Sequence, residues 1–125
     1  MNLATLIAKR AEEGRPIRVG MIGAGKFGTM FLAQAERQRG IHIIGICDLN
    51  PEATRSNLAL ANWNLERYAA KSLDAAAKNG TTHVGDNWEA LVNHPAVEII
   101  IECTGNPMAA VTHILRAFDQ GKHVI

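Results

Sequence analysis

The 125-residue sequence is poor in the residues that build disulfide scaffolds, membrane spans or polyanion-binding surfaces. Its two cysteines, Cys47 and Cys103, each close an apolar run, which suits reduced core thiols better than a disulfide framework. Its apolar runs fall far short of the roughly 20 residues that a membrane span requires. The net charge of +1 is too small to indicate a surface that binds nucleic acid. We therefore expect a cytoplasmic protein that binds neither membrane nor nucleic acid.

What the sequence does contain is the pattern of one α/β domain. Hydrophobic residues make up 47% of the chain, and short β-branched runs alternate with helical segments. This alternation predicts a Rossmann-like, doubly wound parallel sheet with helices on both faces, in three α/β/α layers. The predicted strands are Ile17–Ile22, His42–Cys47, Thr82–Val84, Val97–Cys103 and Lys122–Ile125.

Capping residues and glycines mark the predicted helix boundaries. Asparagine followed by proline supplies a side-chain cap and a residue suited to the first helical position, and glycine ends helices in the left-handed conformation. The predicted starts are Asn50-Pro51, Asn106-Pro107 and the Asp86–Glu89 capping pair, and the predicted ends are Asn79-Gly80 and Gly121.

Three further helical segments are predicted. After the first strand, an amphipathic helix would place Phe27, Met30, Phe31 and Ala35 on the sheet. Residues 2–13 form a leading amphipathic helix, which we expect to pack on the domain or on a partner subunit rather than on a membrane. Residues 58–78 form an extra helix or two, in which Trp63 and Tyr68 are core or interface anchors.

A glycine turn lies between the first strand and the helix that follows it. Gly23, Gly25 and Gly28 form a G-x-G-x-x-G pattern in the strand-to-helix context that the dinucleotide-binding fingerprint requires. Gly23 permits the tight turn, Gly25 leaves room for a pyrophosphate, and Gly28 lets the helix approach the strand. The free N–H groups and positive dipole end of that helix would face the anion. The alternative is a turn used for close packing alone.

An acidic residue at the end of the second strand supports the binding interpretation. Asp48 follows Gly28 by 20 residues, the approximate spacing of a carboxylate that binds the adenosine ribose. That charge favours NAD over NADP, because it repels a 2′-phosphate. Arg55 lies seven residues further on and would reach such a phosphate if Asp48 turned away, although a solvated helix residue is the commoner role. The choice between NAD and NADP stays open.

The loop after the fourth strand is expected to form the other half of the site. In the strand order 3-2-1-4-5 this loop faces the glycine turn across a crevice. Thr104 and Asn106 offer hydrogen-bonding groups near the nicotinamide ribose, and Gly105 permits close approach. We do not expect Cys103 to be a nucleophile, because no local pattern places a base beside it. The five histidines show no metal-ligand spacing.

Several stretches together resemble a known family. The segments IRVGMIGAGKFGTMF, GICDLNPE, VEIIIECTGNP and GKHVI resemble the nucleotide domain of homoserine-dehydrogenase-like oxidoreductases, over nearly all 125 residues. The leading helix and the insertion after the second strand resemble the subgroup that carries a C-terminal SAF domain and includes deoxyxylulose phosphate reductoisomerase-like enzymes. The resemblance implies one site whose residues are Gly23, Ala24, Gly25, Lys26, Phe27 and Gly28 for phosphate, Asp48 for ribose, and Thr104, Gly105 and Asn106 beside nicotinamide.

The resemblance also implies what this chain does not carry. Members of the family place substrate and metal ligands in a second domain after the fifth strand, so we expect this sequence to be part of a longer, homo-oligomeric enzyme. Residues 1–125 would form the dinucleotide-binding domain, with no catalytic residue and no metal ligand. The full enzyme would transfer hydride between NAD or NADP and a small polar carbonyl or hydroxyl compound, as a homoserine-dehydrogenase-like or an NADPH-dependent reductoisomerase-like enzyme.

Two other classes of function share this fold and stay open at this stage. A non-catalytic nucleotide sensor, such as a regulatory domain of a potassium channel or a redox-sensing repressor, also uses a glycine turn and a strand-end acid. A coenzyme A or adenosylmethionine site would bind NAD(P)H weakly or not at all. Fold alone does not separate these classes.

Overall fold

A computed structural model describes residues 2–125, which form six α-helices, one 3₁₀ turn and five strands. The strands are β1 (Ile17–Ile22), β2 (Ile41–Cys47), β3 (His83–Gly85), β4 (Ile99–Glu102) and β5 (His123–Val124). The helices are α1 (Leu3–Glu12), α2 (Lys26–Ala35), α3 (Pro51–Leu60), α4 (Leu73–Asn79), α5 (Trp88–Asn93) and α6 (Pro107–Asp119), with the 3₁₀ turn at Leu65–Tyr68.

The five strands form one parallel sheet in the order β3-β2-β1-β4-β5. Each predicted strand is confirmed, with ends that differ by at most two residues. The order reverses between β1 and β4, so the loops that leave these two strands border a crevice at the carboxyl edge of the sheet. These two loops and the first turn of α2 carry all the predicted binding residues except Asp48, which follows β2.

Two hydrophobic clusters cover opposite faces of the sheet and confirm the three-layer prediction. One cluster packs α2 and α3 on one face, and the other packs α4, α5 and α6 on the opposite face. Trp63 and Tyr68 lie in the first cluster and are buried, so both are core anchors. The Trp63 indole donates a hydrogen bond to the Leu32 carbonyl of α2 at 3.1 Å, which fixes the 58–78 insertion against the domain.

Most of the predicted helix boundaries are confirmed. The Asn50 side chain accepts from the Ala53 amide, and the Asn106 side chain accepts from the first turn of α6. Gly80 ends α4 with φ +71°, and Gly121 has φ +70° just beyond α6. The Asp86–Glu89 capping pair is wrong by one residue. Asn87 is the cap of α5, and its side chain accepts from the Ala90 amide at 3.0 Å.

The buried face of α2 differs from the predicted one. Phe27 is 75% exposed and Met30 is 58% exposed, whereas Gly28, Leu32 and Ala35 face the sheet. Gly28 lets the start of this helix approach β1 closely, and Leu32 and Ala35 continue the buried face towards its end. The prediction was wrong for Phe27 and Met30, but Ala35 is buried as predicted and Phe31 packs against the first hydrophobic cluster.

The leading helix α1 lies at the amino edge of the sheet, away from the crevice. All its described residues are at least partly exposed, and an ion pair between Arg10 and Glu98 at 3.0 Å ties it to the segment before β4. The Glu98 carboxylate also accepts from the Arg18 amide of β1 at 2.8 Å. In residues 2–125 no helix has the length and apolar character needed to cross a membrane.

Candidate functional site

Gly23 makes the turn that leaves β1. Its φ is +90°, a conformation that residues with a side chain rarely adopt. A Cβ at this position would lie 2.6 Å from the main-chain carbon of Cys103 in the neighbouring β4 loop. Both the backbone conformation and the close approach therefore require glycine, and the first role assigned from the sequence has its physical basis here.

Replacing Gly23 with alanine is expected to destabilise the domain. The left-handed conformation costs a residue with a Cβ about 1–2 kcal/mol, and the contact with the β4 backbone costs about as much again. We expect a loss of at least about 2 kcal/mol in the free energy of unfolding, measured by urea denaturation. An unchanged midpoint would contradict the packing of Gly23 against Cys103.

Gly25 caps α2 without a side chain, and the space around it is open. A Cβ built on Gly25 would meet no heavy atom within 4 Å, and its φ of −71° is available to any residue. The main-chain N–H groups of residues 25–28 donate to no acceptor in the part of the chain that the structure describes. Four free donors thus converge on an open space at the positive end of α2, an arrangement that suits a phosphate group.

Gly28 brings α2 close to β1. A Cβ at Gly28 would lie 2.9 Å from the Gly23 carbonyl oxygen and 2.7 Å from the end of the Met21 side chain. The helix start is therefore held directly over the turn that precedes it. Ala24 lies between the two glycines and is buried, while Lys26 and Phe27 are exposed at the helix start.

Asp48 connects the end of β2 to the glycine turn. Its Oδ2 accepts from the Ala24 amide at 2.8 Å, and its Oδ1 accepts from the Asn50 amide at 3.0 Å. A carboxylate has about four acceptor positions, so each oxygen of Asp48 keeps capacity for a hydroxyl donor. The side chain is half-buried at the crevice, where the fingerprint places a ribose-binding acid.

Arg55 has partners on the side of β3. One guanidinium nitrogen donates to the Val84 carbonyl at 3.0 Å, and another pairs with Glu52 of the same helix. These contacts use the planar donor face of Arg55 within the domain. The alternative that Arg55 serves a 2′-phosphate gains no support from this arrangement.

The loop after β4 is held by its own side chains. The Thr104 amide donates to Glu102 Oε1 at 2.8 Å, and the Thr104 hydroxyl donates to the same oxygen at 2.5 Å. Asn106 Oδ1 accepts from the Met108 and Ala109 amides and so caps α6, which leaves its Nδ2 group to donate outward. Gly105 lies between them with φ +68°, a conformation that favours glycine.

A buried acid–histidine pair supports this loop, and sequence reasoning missed it. Nδ1 of His113 lies 2.5 Å from Glu102 Oε2, and the two side chains are only 9% and 7% exposed. The Trp88 ring packs on the imidazole with its centroid 4.6 Å away. The available signal was helical spacing, since residues 106, 109 and 113 share one face of α6.

The hydrogen bonds to Glu102 lower its pKa. Burial by itself raises the pKa of Glu102, but the hydrogen bonds from Thr104 and His113 outweigh burial and hold the pKa below its ordinary value. Because folding lowers this pKa, the ionised carboxylate stabilises the folded state, and its full contribution is present above the pKa of the unfolded chain, at about pH 4.5. That contribution is lost as the pH falls through the lowered pKa.

The lowered pKa of Glu102 predicts how the stability of the domain depends on pH. Between pH 6 and pH 3 the melting temperature of the wild type should approach that of Glu102→Gln, because the variant lacks the titrating carboxylate. Circular dichroism melts at several pH values measure the difference. A constant difference across this range would contradict the lowered pKa of Glu102.

One cavity brings four of the ten predicted residues together with Trp88 and His113. It measures about 420 Å³, and its walls join the ends of β1, β2 and β4 to the first turns of α5 and α6. It is lined by Ile22, Gly23, Cys47, Asp48, Leu49, Asp86, Trp88, Cys103, Thr104, Asn106, Ala109 and His113. The remaining predicted residues, Ala24, Gly25, Lys26, Phe27, Gly28 and Gly105, do not line this cavity.

The two cysteines in the cavity wall are free thiols. Burial, assisted by the charges of Asp86 and Asp48, raises the pKa of Cys47 to about 11. Burial and the Glu102 charge also raise the pKa of Cys103. Raised values keep both groups protonated near neutral pH, which agrees with the expectation that Cys103 is not a nucleophile.

Metal-ligating side chains are dispersed. In residues 2–125 no group of three or more His, Cys, Asp or Glu side chains is placed to hold a metal ion. His42 contacts the Thr81 carbonyl and His83 the Ala70 carbonyl, so each serves the packing of the β3 region.

Residues 17–125 match the family model described as an oxidoreductase family with an NAD-binding Rossmann fold. A homoserine dehydrogenase from Methylobacillus glycogenes is 28% identical over 113 residues, which cover 89% of this chain and 24% of that protein. The chain thus spans about a quarter of that relative's length.

Solved structures share the fold. Myo-inositol dehydrogenase from Lactobacillus casei, in complex with NAD(H) and myo-inositol, superposes with a TM-score of 0.62 at 16% identity, over 87% of this chain and 27% of that one. A homoserine dehydrogenase from Thiobacillus denitrificans gives a TM-score of 0.56 at 20% identity, over 87% of this chain and 22% of that one. With the glycine turn and the match over residues 17–125, these findings show that the chain belongs to the family of oxidoreductases with an NAD-binding Rossmann fold.

Proposed function

We propose that residues 25–28 hold the pyrophosphate of NAD(P)H through their main-chain amides. The observation that carries this proposal is the open space at Gly25, into which four unpaired N–H groups converge at the start of α2. Main-chain donors with a helix dipole behind them bind phosphate oxygens without any basic side chain. The exposed Lys26 would add long-range attraction at the same helix start.

Asp48 is proposed to bind the hydroxyls of the adenosine ribose. It is tied to Ala24 at 2.8 Å and so has a fixed position relative to the phosphate site. A fixed negative charge at the ribose disfavours a 2′-phosphate, and Arg55 is engaged by Val84 and Glu52. We therefore propose NADH as the better ligand. On the opposite side of the crevice, Thr104, Gly105 and Asn106 would contact the cofactor, and Thr104 and Asn106 line the same cavity as Asp48.

For the whole protein we propose a dehydrogenase that acts on a small polar carbonyl or hydroxyl compound. The nicotinamide supplies the hydride chemistry when it is bound, and this chain would bind and orient it. The sequence similarity to homoserine dehydrogenase supports a homoserine-dehydrogenase-like activity. The finer proposal, a member of the SAF-domain subgroup with reductoisomerase-like enzymes, rests on sequence resemblance alone. Substrate ligands, any divalent metal and a homo-oligomeric interface would belong to the longer protein.

The test of the binding function is calorimetric titration of the chain with NADH and with NADPH. We expect saturable binding of both at one site per chain, with NADH bound more tightly. At a ligand concentration of about 100 times the dissociation constant, a binder gains roughly 2.7 kcal/mol in stability, which a thermal shift detects. Tight binding of coenzyme A or S-adenosylmethionine, with no response to either dinucleotide, would contradict the proposal.

A further inference from the structure

The imidazole of His113 is held on two sides. Glu102 Oε2 lies 2.5 Å from Nδ1, and the Trp88 ring packs on its face with 55° between the ring planes. Glu102 is fixed in turn, because Oε1 accepts both the amide and the hydroxyl of Thr104. An ionised carboxylate only accepts hydrogen bonds, so Nδ1 of His113 carries the proton.

The other ring nitrogen is free. Nε2 of His113 has no hydrogen-bond partner among residues 2–125, yet it is absent from the fully buried atoms that lack one. The residue lines the cavity of about 420 Å³. With the proton held on Nδ1, a neutral His113 presents the Nε2 lone pair as a fixed acceptor at this cavity.

The position of the cavity indicates which part of a dinucleotide would enter it. Asp48 lines the same cavity, and a purine base is bonded directly to the ribose that Asp48 is proposed to bind. Apolar walls suit a flat aromatic base, and here they come from Ile22, Leu49, Trp88 and Ala109.

We propose that His113, positioned by Glu102, is a specificity residue that accepts a hydrogen bond from the exocyclic amino group of the cofactor's adenine. This inference rests on the proposed function and deepens it. Adenine places an N–H₂ donor at its C6 position, whereas hypoxanthine places a carbonyl acceptor there. A rigid acceptor that faces another acceptor in a partly desolvated site loses the hydrogen bond and leaves both groups unsatisfied.

The first test compares NADH with nicotinamide hypoxanthine dinucleotide (reduced form) by calorimetry at pH 8.5. The wild type should bind NADH at least about tenfold more tightly, the effect of roughly one lost hydrogen bond with unpaired groups. In His113→Phe the two dissociation constants should become equal. The control His94→Phe removes a histidine outside the cavity and should keep the preference.

A second variant tests the positioning role without removing the histidine. In Glu102→Gln, the two Thr104 donors hold the amide oxygen on their side, so the amide N–H₂ group faces Nδ1 of His113. The imidazole proton must then move to Nε2, which becomes a donor. We expect the preference to shift from adenine towards hypoxanthine, and ¹⁵N chemical shifts of the histidine ring report the exchanged tautomer.

The outcomes separate this inference from the proposed function. Equal binding of the two dinucleotides by the wild type, or an unchanged preference in His113→Phe, overturns the role of His113 and leaves NAD(P)H binding intact. Failure of the wild type to bind either dinucleotide overturns the proposed function and this inference together. An adenine preference in Glu102→Gln equal to that of the wild type contradicts the positioning role of Glu102.

Discussion

Replacing Gly25 with valine is expected to weaken NADH binding at least about 100-fold while the domain stays folded. The native φ of −71° is available to valine, and no protein atom lies within 4 Å of a Cβ at this position. The side chain would instead fill the space towards which the amides of residues 25–28 point. Valine is a poor helix cap, so we expect a loss of about 1 kcal/mol in stability. Calorimetry and thermal melts measure the two effects separately.

The matched control for this variant is Ala53→Val. It places valine at an exposed position in the first turn of α3, which is also a helix start but has its own side-chain cap from Asn50. The control should bind NADH as the wild type does. If Gly25→Val bound NADH with wild-type affinity, the pyrophosphate would not lie at the start of α2.

The exchange Asp48→Asn is expected to lower the ratio of the NADPH to the NADH dissociation constant by about tenfold or more. Asparagine can still accept the hydrogen bond from the Ala24 amide, so the turn keeps its main tie. The negative charge is lost, and with it the repulsion of a 2′-phosphate. A tenfold change corresponds to about 1.4 kcal/mol, which is modest for a charge in a partly buried site. Parallel titrations with the two dinucleotides give the ratio.

Asp86→Asn is the control for this exchange. Asp86 lines the same cavity, but none of its side-chain atoms bonds to the glycine turn. It should therefore leave the ratio close to that of the wild type. Equal changes in the two variants would mean that the overall charge of the cavity, rather than a ribose contact at Asp48, sets the preference.

The parts of the fold that could be predicted are those fixed by local sequence. Asn50 and Asn106 each precede a proline, and both cap helices, because side-chain caps act within three residues. The β-branched runs gave all five strands, since a parallel sheet covered on both faces leaves few polar positions in its strands.

The two errors have different causes, one local and one from tertiary packing. The cap of α5 moved to Asn87 because a neighbouring asparagine serves as well as Asp86 within the same turn. In α2 the periodicity placed Ala35 correctly on the buried face but also favoured Phe27 and Met30, whereas the structure buries Gly28 and Leu32 there. The spacing of apolar residues along a helix does not reveal how closely the helix will approach the sheet.

In the candidate site too, the residues within one continuous segment could be predicted, and the contacts between separate elements could not. The glycine turn and Asp48 follow a spacing that sequence reveals, because a strand, a turn and a helix form one continuous unit. The Glu102–His113 pair joins a strand end to the middle of α6, and Trp88 reaches it from α5. Three separate elements must fold before these side chains meet, so spacing alone did not identify them.

The central claim is that the main-chain amides at the start of α2 bind a dinucleotide pyrophosphate. The most direct measurement is a ¹H–¹⁵N correlation spectrum of the chain during titration with NADH. We expect the largest amide shifts at Gly25, Lys26, Phe27 and Gly28, with much smaller shifts in α1 at the opposite edge of the sheet. Saturable binding that leaves these four amides unshifted would contradict the claim.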